Sequence, residues 1–158
     1  MTVRTSAGTK ISIGPAIQGA FPTTTTAYAA LTPYVLIGEI QDAGEYGDDV
    51  GSTEFVSLTD RRVRRLKTTY DAGEMTIVVG NDSNDNGQTA LLSAIASDFN
   101  FAIKVENNDK LTTGGANSIE YFSAMVAGGR KQVGTADQIM TRTFRLLINS
   151  PILTTAAT

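Results

Sequence analysis

Two short stretches of this chain carry residue types that could do chemistry. In NDSNDNGQTALLS (residues 81–93), Asp82, Asn84, Asn86 and Gly87 reproduce the D-x-N-x-N-G opening of a calcium-binding loop. Such a loop closes on a bidentate glutamate at its twelfth position, which here is Ser93, and the two asparagines offer neutral oxygens where affinity depends on charge. The competing reading makes the same residues a turn before a helix. Asn and Asp tolerate turn geometry and bond nearby backbone, Gly87 relieves crowding, and Asp85 satisfies free amides at a positive helix start. Turn chemistry is sufficient to explain the stretch.

The second stretch is RRVRRLK (61–67), in which Arg61, Arg62, Arg64 and Arg65 follow a window holding Glu39, Asp42, Glu45, Asp48, Asp49, Glu54 and Asp60 and no basic residue. Three readings compete. A phosphate-binding patch would bind nucleic acid in a strongly salt-dependent way, but no run of aromatics interleaves the arginines and no helix-turn-helix or RNA-recognition motif is present. A solvated strand is the plain alternative. The favoured reading is an interface between copies, where the basic run of one chain meets Asp48, Asp49 and their acidic neighbours on another; complementary charge there sets register more than affinity.

Composition narrows the chemistry further. The chain has 158 residues and no histidine, cysteine or tryptophan. Absent histidine removes the side chain that most often acts as acid or base near neutral pH and the commonest zinc ligand; absent cysteine removes disulfides and thiolate sites. No G-x-S-x-G, S-x-x-K, P-loop or H-E-x-x-H pattern occurs, so the expectation is a protein that is not an enzyme and holds no cofactor or metal. No 18 apolar residues run together and the start lacks the apolar stretch of a secretory signal, which predicts a soluble protein with no membrane partner.

The elements that must position these stretches read as mainly β. In FNFAIKVE, Phe99, Phe101, Ile103 and Val105 alternate with Asn100, Ala102, Lys104 and Glu106, and in QIMTRTFRLLIN, Met140, Phe144, Leu146 and Ile148 share one face. YVLIGEIQ (34–41), TEFVSL (53–58), GEMTIVVG (73–80) and SIEYFSAMVAG (118–128) add four strands; KISIG, ended by Gly14 and Pro15, is a seventh, and the Arg-rich piece an eighth. One helix, capped by Asp85, is predicted over about 86–97, laying Leu91, Leu92 and Ile95 on a sheet. AFPTTTTAYAALTP, the acidic region of 41–60, NNDKLTTGGANS and the tail PILTTAAT read as long connections, a use of chain that compact domains make when loops find order against neighbours. The whole is expected to be one domain over 1–158, with an extended N-terminal region and a flexible C-terminal tail.

Residues 71–106 resemble the central part of phage major tail tube proteins of long, non-contractile tails. The likeness is carried by D-x-G-E opening a strand (Asp71, Gly73, Glu74), then N-x-x-G-Q-x-A-L-L (Asn84, Gly87, Gln88, Ala90, Leu91, Leu92), then the alternating strand from Phe99. VLIGEI, a variable acidic loop and F-V-S-L-T-D upstream look like the region before that core. The resemblance implies an antiparallel β-sandwich or barrel flanked by one helix, with six-membered rings stacked into a conduit for DNA in a virion tail assembled in the host cytoplasm. Implied partners are sister copies and the terminator, distal tail and tape-measure proteins, with DNA only in transit. Type VI secretion inner-tube proteins resemble this fold as well, and a small binding module for nucleic acid or calcium is the other alternative.

Overall fold

The computed structural model describes residues 3–158. Along the chain the elements are β1 (Lys10–Ile17), α1 (Thr25–Ala29), β2 (Val35–Leu36), β3 (Ile40–Asp42), β4 (Asp49–Val56), β5 (Val63–Asp71), β6 (Glu74–Gly80), α2 (Asn86–Ile95), β7 (Asn100–Glu106), β8 (Ile119–Gln132), β9 (Thr141–Ile148) and β10 (Leu153–Thr155). Eight strands form one antiparallel sheet in the order β2–β1–β7–β8–β9–β6–β3, with β10 also on β8, while β4 and β5 pair only with each other. The fold is therefore mainly β with an antiparallel sheet folded over itself, as the alternating patterns predict.

The folding-over happens in β8. Its first half pairs with β7 up to Ala124 and with β10, and from Ala124 onward it pairs with β9, with a bulge between Val126 and Gly128. The far ends of the sheet meet through one stretch of chain. β2 pairs with β1 and β3 with β6, and between them the Ile37 amide donates to the Ile11 carbonyl (2.9 Å) and the Gly80 amide to the Glu39 carbonyl (2.8 Å). The sandwich thus closes toward a barrel. Residues 34–41 are two short strands rather than the single one expected, because the chain changes partner there and Glu39 adopts a left-handed backbone (φ 54) to do so. KISIG likewise does not stop at Gly14 and Pro15; β1 continues to Ile17 through a bulge between Ile13 and Ala16, which accommodates a proline that has no amide to pair.

The core takes Ile11, Ile77, Ile103, Phe122, Phe144 and Leu146, all fully buried, from both halves of the sheet. Phe99, expected in this layer, lies just before β7 and stays half exposed, whereas Ala102 on the opposite face is fully buried. The cause is a second apolar cluster of Ile17, Tyr28, Ala102 and Tyr121 on the outer face. Residues 20–33, read as a connection, contain α1, whose start is capped by Thr24 and whose Tyr28 inserts there. Its hydroxyl bonds Ser123 Oγ (2.6 Å) and its ring stacks on Tyr121 at 5.7 Å. The C-terminal segment is also ordered by pairing: β10 runs along β8, and the Thr158 carbonyl accepts from the Leu111 amide (3.1 Å).

Helix α2 starts where expected, with Asp85 accepting from the Gly87 and Gln88 amides, and ends at Ile95. The buried face is Gly87, Gln88, Leu91 and Ala94. Leu92, placed on the sheet by the sequence pattern, is instead 39% exposed, while Ile95 sits at the rim of the contact, 36% exposed with its Cδ1 against Gly129 of β8. A helix advances about 100° per residue, so a face centred on Leu91 carries Leu92 off the contact.

Candidate assembly interface

The arginine run and the end of the acidic window, Asp49, Glu54 and Asp60, come together in one ribbon. β4 and β5 pair from Asp49 opposite Asp71 at the root to Val56 opposite Val63 near the tip, and the turn between them is closed by the Arg61 amide donating to the Ser57 carbonyl (3.0 Å), with Arg61 in a left-handed conformation (φ 52). Every residue of β5 is exposed, and only Val50 of β4 is partly covered. The ribbon projects as an arm. Strand alternation puts Phe55 and Leu66 on one face and Val56 and Val63 on the other, with Phe55 57% and Leu66 60% exposed. A two-stranded ribbon is marginal by itself in water, and apolar side chains on both faces are surface left for another molecule to cover.

The charges the sequence singled out are only partly free. Arg65 lies opposite Glu54 and pairs with it at 2.9 Å, and Arg64 pairs with Asp60 at 2.7 Å. The Arg62 amide, and after it the Arg64 guanidinium, hold the Asp60 carboxyl below its ordinary value. Glu54 and Asp60 of the acidic window therefore meet the basic run inside one hairpin, in exposed pairs that add little stability. Among the described residues, the side chains of Arg61 and Arg62 make no salt bridge, and both residues stand at the tip. Asp49 sits opposite Asp71 and accepts from the Val50 amide, and Asp48 precedes it at the root beside a cleft lined by Tyr70, Asp71 and Ile148.

Two strand edges complete the surface. Beyond Ala124, β8 has a strand partner on one side only among the described residues, and β3 borders the other end of the layer β8–β9–β6–β3. The outer face of that layer carries Thr76, Val78 and Thr143, together with Arg145 and Glu74 joined at 2.6 Å. Glu74 raises the Arg145 pKa. The calcium-like stretch is occupied otherwise: Asp82 accepts from the Asn84 amide (2.9 Å) and Asp85 caps α2, and among the described residues no three acidic side chains converge. Sequence patterns missed the apolar faces of the arm, because Phe55, Leu66 and Tyr70 look like core residues until their strands are seen to leave the core.

No family model matches the sequence, and no curated protein matches it. Solved structures do match the fold. A chain of the anti-feeding prophage baseplate superposes with a TM-score of 0.69 at 11% identity, covering 99% of this chain and 97% of that one. The SPP1 tail tube gives 0.65 at 14% identity over 94% of this chain and 76% of that one. A chain of the sheath/tube terminator of an extracellular contractile injection system gives 0.64 at 11% identity over 98% and 97%. The fold defined here is shared with these three structures.

Proposed function

We propose that the chain is a structural subunit, not an enzyme, that self-assembles into stacked six-membered rings forming a tail tube, a passive conduit for DNA delivery into a host. The observation that carries this reading is the arm, a ribbon with uncovered apolar side chains on both faces that only a neighbouring molecule can bury. The shared fold with the SPP1 tail tube supports it. A head-to-tail contact needs two different surfaces, and the arm on one copy with the body of the next supplies them.

Within a ring, the open side of β8 on one copy and the edge strand β3 of the next continue one sheet. The inner face of that layer is packed in the hydrophobic core, which leaves its outer face free to turn to the axis. Thr76, Val78, Thr143 and the Arg145–Glu74 pair then line the conduit, an arrangement in which cation is matched by anion and a polyanion slides without a costly release step. The tube sits in a virion tail assembled in the host cytoplasm, its ends joined to terminator, distal-tail and tape-measure proteins.

Negative-stain microscopy of the purified chain at rising concentration, alone and with its tail partners, tests this. Rings and tubes with six copies per ring are expected. Particles that stay monomeric with all partners present would overturn the reading, and tubes that carry protein rather than DNA would reassign it to a secretion device.

A further inference from the structure

The arm leaves the sandwich by two legs, and both are fastened. On the outgoing leg, the Gly44 amide donates to Asp42 Oδ1 (2.8 Å), and Gly44 needs its left-handed backbone (φ 61) and lack of a side chain, since a Cβ there would lie 2.7 Å from the Thr76 carbonyl. On the returning leg, the Gly73 amide donates to Asp71 (2.8 Å) and the Ile148 amide to the Gly73 carbonyl (3.0 Å). Past these points, no hydrogen bond joins β4 or β5 to another element among the described residues.

The outgoing leg carries one residue that crosses the molecule. Tyr46 follows β3, on the β6 side of the sandwich, yet its hydroxyl donates to the Glu120 carboxylate on β8, where β8 still belongs to the β7 side. Its ring packs on Phe122 at 5.6 Å. Burial, and after it the hydrogen bond to Glu120, push the phenol well above its ordinary value, so it remains a donor at any physiological pH.

We propose that Tyr46 and Glu120 are positioning residues that fix the bearing of the arm before it meets a second copy. An arm free to swing would lose that freedom on docking and weaken the contact, whereas a pre-set one does not. The partner is named by the tube reading above, but the bearing is a property of the single chain.

The absence of native cysteine makes a clean distance measurement possible. Spin labels on Leu58→Cys, at the 98% exposed tip, and Ser93→Cys, on the exposed side of α2, report the angle between arm and body by pulsed electron resonance. The parent is expected to give one narrow distance, and Tyr46→Phe, which keeps the ring and deletes one hydroxyl, a broad one with little change in the melting temperature of the body. Glu120→Gln, which keeps an acceptor, is expected to stay close to the parent. The doubly substituted chain should be no broader than Tyr46→Phe alone, since the two groups act as one. If Tyr46→Phe does not fold, Glu120→Ala with Tyr46 intact decides the same question. A distribution as narrow as the parent's in that variant overturns the proposal. The concentration at which tubes form is expected to rise about tenfold for Tyr46→Phe, the effect of one hydrogen bond to a charged acceptor. Broadening in a chain whose parent makes no tubes leaves the latch standing and removes the tube.

Discussion

At the scale of single residues, the turn after β6 is the most tightly determined part of the molecule. One carboxylate, that of Asp85, accepts from three amides: Gly38 at 2.6 Å, Gly87 at 2.7 Å and Gln88 at 3.0 Å. Gln88, 2% exposed, donates from its side chain to the Gly80 carbonyl (2.8 Å) and accepts from the Asp82 amide (3.2 Å). Gly87 lets the helix approach the backbone between β2 and β3; a Cβ there would lie 2.2 Å from the Leu36 carbonyl oxygen. Gly87→Ala is therefore expected to destabilise by about 1–3 kcal/mol, although alanine favours helix. Asp85→Ala is expected to cost about 1–2 kcal/mol as a lost cap, plus the orphaned Gly38 amide. Denaturant titration measures both. The capping role of Asp85 was legible in sequence because it is local. Gly87 was read as turn relief, since the backbone it packs against, at Leu36 and Ile37, lies about fifty positions earlier and no local pattern records it.

At the scale of elements, the same boundary separates what the sequence conveys from what it does not. Alternation over 100–106 and 141–148 marked both strands, because each has one face on the core. It failed at 20–33, where a five-residue helix buries one side chain, Tyr28, and is too short to show a period. It failed also on α2, whose apolar stripe looked wider than the face the sheet accepts. Leu91→Ala should cost about 2–5 kcal/mol and Leu92→Ala within about 0.5 kcal/mol, a contrast that thermal melts of the two variants check. For the arm, the informative charges are the unengaged ones at the tip. Reversing Arg61 and Arg62 to Glu is expected to leave the monomer's melting temperature unchanged while hindering tube formation most at low salt, as turbidity against ionic strength would show. Equal assembly at every salt concentration would mean that the tip arginines lie outside the contact.

At the scale of the whole molecule, acid is expected to open one region early. The Ser118 hydroxyl and then the Ser118 amide (2.6 and 2.7 Å) hold the Asp109 carboxyl below its ordinary 3.8. A carboxyl lowered in the folded state stabilises above its unfolded value, and that contribution disappears as pH falls through the lower folded value. The loop of 107–118, which also holds Thr158, should therefore loosen below about pH 4 while the barrel persists, and Asp109→Asn should show the loosened loop already at neutral pH. Amide exchange resolved along the chain measures this.

A single strand, β8, runs through both layers of the sandwich, and the arm's two legs are both tied close to its crossing point: one to Glu120 on the strand's first half and the other through Ile148, which lies opposite Ala124 where the strand changes layer. Load entering at the arm is shared by both layers at once, and the layers cannot shear past each other without tearing their common strand. The chain is therefore expected to bear such a load as one stiff block.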